Sequence, residues 1–346
     1  MESLLLLSSD GRRRYAEDVQ TVLAAPHGAV VQFRYPLRWV APPLRRAVLS
    51  RKANSLPAVL GFHSTVTDSE PFVLPIRHAT VAMADYIADW FVFQLRVGGY
   101  VDLRQYQLSL PGIVARSREL ISRLPVTPEG ALYSATSDPA QLPEEVGADA
   151  ADRWITAARR LALHPSFENS YFLRVAAVET QRGKDVRFDA TGRLQTVDGL
   201  SLRIVTNIYG KEYAPDAEFK LTCATDGTNV RVASEDVYHV AVKYDLVEFW
   251  LHLAAQSYNI YSRVTISLAS DKAETLAIPA HVRLPLVVTR SKSRVFRRWA
   301  VACAGAVLVA LPSILGPESP LQVRIGVALA GAGLLALSGA VLSSPK

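Results

Sequence analysis

From Trp299 to Leu342 the only charged residues are Glu318 and Arg324, and so apolar a stretch has few folded destinations. Trp299–Gly316 and Ile325–Leu342 are uncharged runs of 18 residues each, near the lower limit of the ~17–25 needed to span a hydrocarbon core as a helix. Pro317, Glu318, Ser319 and Pro320 between them suit a tight polar turn. The pattern predicts a C-terminal two-helix transmembrane hairpin over 299–342. Arg290, Lys292, Arg294, Arg297 and Arg298 precede the first run and Lys346 follows the second, so 289–298 reads as a basic juxtamembrane collar. Positive flanks stay inside, which predicts a cell inner membrane location with both termini and the soluble body cytoplasmic. Arg294, Arg297, Arg298 and Trp299 are the expected membrane-interface residues. Ala328, Ala332, Ala336 and Ala340 recur at four-residue spacing and form the expected helix-packing face, used within one chain or between chains.

The rest of the chain has the composition of globular protein. The net charge of +6 is unevenly spread: 289–346 holds seven basic residues and one acidic, whereas 1–288 sums to zero and offers no global field for phosphate. Arginine outnumbers lysine 30 to 8, a bias that points to a GC-rich bacterial source. Cys223 and Cys303 are the only cysteines, too few for a disulfide framework or a thiolate metal site. The opening MESLLLLSSDGRRR has an early acid and only four consecutive leucines, unlike a secretory leader, which again predicts a cytoplasmic N-terminus.

Residues 1–124 read as an α+β domain of short strands and two or three helices, or a strongly bent small barrel. Ser3–Ser8, Ala29–Tyr35, Leu56–Thr67, Phe72–Met83 and 90–97 are strand candidates, Tyr15–Ala25 and Ile113–Leu124 helices. Arg12, Arg13 and Arg14 precede a helix, a place that welcomes an anion. With Arg34 and Arg38 they are the candidate ligand and phosphate-binding residues. Arg45, Arg46, Arg51, Tyr35 and Trp39 would complete a basic, aromatic groove for a nucleotide or single strand. Solvated surface is the plain alternative for such a run.

Residues 125–147 hold four prolines and two glycines and read as a linker. Beyond a helix at Asp152–His164, eight strand-like runs from Tyr171 to Val288, with turns at Asp198-Gly199 and Asp226-Gly227, predict a β-sandwich over 148–288 with that leading helix. The expected fold class is therefore an α+β N-terminal domain plus a β-sandwich domain, followed by the transmembrane hairpin.

Catalytic signatures are lacking. The seven histidines form no HxxxH or HExxH pair, so no metal or other cofactor is implied. No GxSxG, SxxK or Walker sequence occurs. Glu70, His78, Asp85 and Asp89 are the best acid–base cluster, and hairpin carboxylates of that kind are usually solvated. Whether the chain is an enzyme stays open, with the balance against it.

The tail Trp299–Leu342 joined to a folded body resembles, in architecture, the two-transmembrane-helix effectors of bacterial antiphage defence. The resemblance implies a sensor body that binds a nucleotide, nucleic acid or protein signal, and hairpins that assemble to perturb the inner membrane. Its partners would be inner membrane lipids and further copies of the chain. The alternatives are a membrane-tethered protein-binding adaptor and a membrane-bound enzyme with a dispersed site.

Overall fold

A computed structural model describes residues 3–9, 11–40, 42–63, 73–103, 132–135, 150–211, 218–254, 258–271, 277–314 and 320–340. The helix expected at Ile113–Leu124 lies outside them. The first body is one six-stranded sheet in the order β2-β5-β4-β3-β1-β6. Its strands are β1 (Ser3–Ser9), β2 (Val30–Pro36), β3 (Pro57–His63), β4 (Val73–Ile87), β5 (Trp90–Tyr100) and β6 (Leu132–Ala135). β1 and β3 run parallel, Leu4 opposite Ala58 through Ser9 opposite His63. The sheet curls on itself: the Tyr35 hydroxyl, on edge strand β2, donates to the Leu7 carbonyl of β1 at 2.9 Å.

Helix α1 (Arg13–Ala24) buries Ala16, Val19, Val22 and Leu23, a 3.6-residue stripe. It lies between the first sheet and the second body, touching β1 on one side and strands β7 and β15 on the other. Helices α2 (Pro42–Leu49) and α3 (Ala150–Leu161) complete the first core. Trp154, Ala157, Ala158 and Leu161 of α3 join that core, so this helix serves the N-terminal sheet rather than leading the second body.

The second body has two sheets. One runs β12-β10-β14-β15-β8 and the other β11-β13-β9-β7, built from β7 (Tyr171–Thr180), β8 (Leu194–Val197), β9 (Ser201–Gly210), β10 (Phe219–Thr225), β11 (Val230–Val232), β12 (Val237–His239), β13 (Tyr244–Leu253), β14 (Ile260–Ser270) and β15 (Ala280–Thr289). Alternate residues of both, among them Leu202, Ile204, Phe249, Leu221, Ile266 and Leu284, fill a single core. Cys223 belongs to it, and burial pushes its thiol up to about 12, which leaves no thiolate for chemistry at neutral pH.

The C-terminal segment corrects the membrane expectation. Helices α4 (Lys292–Ile314) and α5 (Leu321–Ala340) pair as a hairpin, but among the described residues no helix is long and apolar enough to cross a membrane. The physical reason is where the helices begin and end. Lys292, Arg294, Arg297 and Arg298 lie inside α4, and Arg324 lies inside α5. Within the described helices the uncharged stretches run from Trp299 to Ile314 and from Ile325 to Ala340, each about 24 Å at 1.5 Å per residue, against a hydrocarbon core of about 30 Å. The transmembrane hairpin is thus removed from the fold class. With it go the inner-membrane location, the lipid and hairpin-mediated partners, and the likeness to antiphage membrane effectors. The readings as sensor-effector, membrane-tethered adaptor and membrane-bound enzyme fall on the same finding.

The hairpin closes through glycines. A Cβ on Gly331 would stand 2.7 Å from the Val309 nitrogen and 2.8 Å from the Gly305 oxygen, so the backbones touch. Ala328 is half-buried beside this contact, whereas Ala332 and Ala336 are exposed. The side chains of Ala340, Arg294, Arg297 and Arg298 lie outside the description, and Trp299 is exposed.

Two half-buried titratable groups give the fold a pH signature. Between Arg77 and Ala79 of β4, opposite Tyr100 and Val97, the register shifts because β5 carries one residue more, so His78 faces a bulge formed by Gly98 and Gly99. Burial, with Arg153 and Arg77 nearby, lowers its imidazole from 6.5 to about 4. Asp18, on α1, is raised by burial from 3.8 to about 6 despite Arg14. A depressed histidine stabilises the fold above its unfolded pKa, and that contribution is lost as pH falls from about 6.5 to about 4. A raised carboxyl acts with the opposite sign, losing stability as pH rises from about 3.8 to about 6. The Asp18→Asn variant is expected to be more stable at pH 7 by on the order of 2–3 kcal/mol. It should also show a steeper acid loss, because the gain from protonating Asp18 no longer offsets the loss from His78. Urea melts of both proteins from pH 7 to pH 4 check this; equal stability at pH 7 would mean Asp18 is solvated.

Candidate functional site

β5 reads WFVFQLRVGGY, and its alternation sorts the side chains into two sets. Phe91, Phe93, Leu95 and Val97 enter the core, while Trp90, Val92, Gln94 and Arg96 face out. Register carries this outer face across three strands. Gln32 of β2 stands opposite Gln94 and Arg34 opposite Val92, and on the other side Thr80, Met83, Asp85 and Ile87 of β4 stand opposite Arg96, Gln94, Val92 and Trp90. A second bulge between Val81 and Met83 keeps β4 in phase. Three apolar members are left in solvent, Trp90 at 38% exposed, Ile87 at 53% and Met83 at 37%, whereas Val92 between them is buried. The turn between β4 and β5 puts Ala88 and Asp89 at φ 49° and 68°, the pair of left-handed residues that a tight hairpin needs.

Cations border the same strands. Between Asp18 and Asp68 the sequence has no acidic residue and six basic ones, Arg34, Arg38, Arg45, Arg46, Arg51 and Lys52. The Arg34 guanidinium donates to the Gln32 side-chain oxygen at 2.7 and 2.9 Å. Arg38 lies over the Trp39 ring at 5.0 Å, and Arg45 donates to the Val40 carbonyl at 2.6 Å. The turn carrying Arg51 and Lys52 is pinned to β4, where Ser55 N–H donates to the Val81 carbonyl and Ala84 N–H to the Asn54 side chain. Among the described residues none of the six is within ion-pair distance of a carboxylate.

The other sequence candidates fall elsewhere. Tyr35 and Trp39 are buried, so neither is a stacking surface. Arg13 forms an ion pair with Glu17 at 3.5 Å and donates to the Ala277 carbonyl at 3.0 Å. Arg12 and Arg14 flank the Tyr15 ring at 5.9 and 5.7 Å. These three sit at the start of α1, where Arg13 reaches the second body, and not on the outer face. Asp85 and Asp89 are on the exposed hairpin and His78 is at the bulge, opposite Val59, seven residues and about 23 Å back along β4; Glu70 lies outside the described residues. Among the described residues these groups form no acid–base cluster. Among the described residues no group of three or more histidines, cysteines or carboxylates stands close enough to hold a metal ion.

Trp90, Gln94 and Arg96 were not among the sequence candidates. The signal was present, because the alternation of residues 90–97 puts them in phase.

At the Val30–Arg96 end this outer face meets a strap from the second body, residues 181–193. Val186 N–H donates to the Val178 carbonyl at 2.8 Å, attaching the strap to β7. Asp189 accepts from Thr191 N–H, Thr191 Oγ1 and Arg193 N–H at 2.7, 2.7 and 3.0 Å and from Gln195 at 3.1 Å. Against the cost of desolvating the carboxylate, those bonds lower it to about 2. Arg96 donates to the Ala190 carbonyl at 2.5 Å. Phe188 rests on Gly28, whose φ is +85°. Gly192, at φ +75°, lies where a Cβ would come within 2.3 Å of Val30 Cγ2. The variant Gly192→Ala should therefore lift the strap and lower stability by about 1–3 kcal/mol, read as a shifted urea midpoint together with faster amide exchange over 185–193. An unmoved midpoint would show that the strap does not press on β2.

Two clefts flank the strap. One of about 540 Å³ lies between the two bodies, lined by Pro26, His27, Gly28, Arg96, Ala176–Val178 and Asp185–Phe188. The other, of about 890 Å³, opens on the far side of the strap toward Thr196, Leu200 and Thr289.

No protein-family model matches the chain, and no curated protein does. Parts of solved structures are similar to it. They include the periplasmic chaperone SfaE (4% identity, 29% of this chain and 56% of that one, TM-score 0.22) and the E. coli chaperone DraB (6%, 28% and 52%, 0.22). A third is SSP-19, an MSP-domain protein like family member in Caenorhabditis elegans (15%, 27% and 92%, 0.18). The chain spans about half the length of the two chaperones it matches, and at these TM-scores the likeness carries no argument about fold or function.

Proposed function

We propose that the chain binds a phosphate-bearing single strand of nucleic acid on the outer face of β2, β5 and β4, with Arg34 and Arg38 meeting phosphates and Trp90 stacking on a base. The observation that carries this reading is the coincidence of an exposed tryptophan, an outward, partly exposed sheet face and a border of cations without carboxylate partners among the described residues. A sheet face serves single strands because every base has a π-face, so stacking tolerates sequence while cations follow the backbone. Gln32 and Gln94, side by side across β2 and β5, add amide donors and acceptors for base edges. The reading requires neither a membrane nor Arg12, Arg13 and Arg14.

Titrating the protein with a ten-nucleotide single strand tests it. The Trp90→Ala variant should bind about 5–150-fold more weakly, the equivalent of about 1–3 kcal/mol per stacked base, while Trp90→Phe retains most of the affinity. Binding that ignores both substitutions would overturn the proposal.

A further inference from the structure

The outer face has a dead end. From Trp90 through Val92 and Gln94 to Arg96 it runs about 20 Å, and at Arg96 the strap stands across it. Val30 and Arg96 are opposite one another in the register, both on the outward side, and the strap covers both: Gly192 presses on Val30, and Ala190 accepts from Arg96. A strand laid on this face cannot continue straight past that point. Beside the obstruction opens the 540 Å³ cleft, within the ~300–1,000 Å³ range of small-ligand sites. Its charged lining is Arg96 and Arg187 with His27, against one carboxylate, Asp185, and Phe188 provides a half-buried ring on the Gly28 side.

We infer that this interdomain cleft receives the end of the bound strand, a terminal nucleotide carrying a phosphomonoester, with Arg96 and Arg187 on the phosphate and Phe188 against the base. The inference rests on the single-strand reading of the outer face. A terminal phosphomonoester carries up to two negative charges, more than any internal phosphodiester, so two guanidiniums at the blocked end of the track select an end over an internal position. Arg96 belongs to both surfaces and exchanges the Ala190 carbonyl for the phosphate when the strand arrives.

Four probes of one ten-nucleotide sequence test this by calorimetry: the linear strand with no terminal phosphate, the 5′-phosphorylated strand, the 3′-phosphorylated strand and a covalently closed circle. The linear strands should bind more tightly than the circle, and one of the two phosphorylated forms should gain about tenfold over the unphosphorylated one. Arg187→Ala should erase that gain and leave the circle's affinity unchanged. Inorganic phosphate at millimolar concentration should compete with the phosphorylated strand only, and competition without any preference for ends would assign the cleft to free phosphate and overturn the inference. Equal binding of circle and linear strands, with no effect of terminal phosphate, would overturn the inference while leaving the outer-face reading intact. Binding by none of the four would remove both.

Discussion

Replacing Arg77 with alanine is expected to destabilise the protein by about 3–5 kcal/mol, the range for removing one partner of a buried charged network. Arg77 is 2% exposed. It shares the inward phase of β4 with Ala79 and Val81, and its guanidinium lies 3.9 Å from the centre of the Tyr100 ring. It donates to the Ala25 carbonyl at 2.7 Å and, through Nε at 3.0 Å and Nη2, to the Gly98 carbonyl. Ala25 is the residue on which α1 ends. Tyr100 acts beside it, its hydroxyl donating to the Leu23 carbonyl at 2.7 Å. The last carbonyls of a helix have no intrahelical donor and carry the negative end of the dipole, so a buried cation there answers both needs. Alanine would leave the buried Ala25 carbonyl and the part-buried Gly98 carbonyl short of a donor, and a cavity against Tyr100. Lysine carries the charge but not the fork, and should recover only part of the loss. Urea unfolding of the three proteins decides it, together with amide exchange at 20–25. A loss below about 1 kcal/mol would mean water replaces the guanidinium and the helix end is wetter than its burial indicates.

That arrangement shows why some of the molecule was readable in the sequence and some was not. Period-two alternation, as in Leu202, Ile204, Thr206 and Ile208, exposes a strand because one face must be dry, and Asp198-Gly199 marks a turn because Gly199 sits at φ +69°. Partners that lie far apart in sequence leave no such mark. Arg77 reads as an ordinary charged strand residue until its carbonyl partners at Ala25 and Gly98 are known. The strand Leu132–Ala135 lies within a proline-rich segment, and only its pairing with β1 reveals it. The apolar tail misled for a related reason. Hydropathy counts residues in a line, whereas spanning depends on where the helix starts relative to its cations, and the structure starts α4 at Lys292. At the outer face the sequence marked Arg34 and Arg38 but chose Tyr35 and Trp39 as aromatics. Tyr35 is in the inward phase of β2, and the exposed aromatic, Trp90, is displaced to the strand beside it.

The cationic border makes the second large expectation, and it is one of salt dependence rather than of a single affinity. Each phosphate neutralised on a single strand contributes about −0.7 to the slope of log K against log salt. If six cations engage six phosphates the slope is about −4, and a fourfold rise from 50 to 200 mM salt weakens binding by about 300-fold. Changing Arg34, Arg38, Arg51 and Lys52 together to glutamine should reduce the slope to about −1.4 and that loss to about sevenfold. None of the four is buried and none has a carboxylate partner among the described residues, so stability should hold within about 0.5 kcal/mol per site. Trp90→Ala provides the contrast, because stacking is uncharged: affinity falls while the slope stays near the parent value. The two variants therefore separate backbone contact from base contact in one titration series. A parent slope near zero would detach the cations from any phosphate role, and a steep slope unchanged in the quadruple variant would move the contact to Arg12, Arg13 and Arg14 at the start of α1.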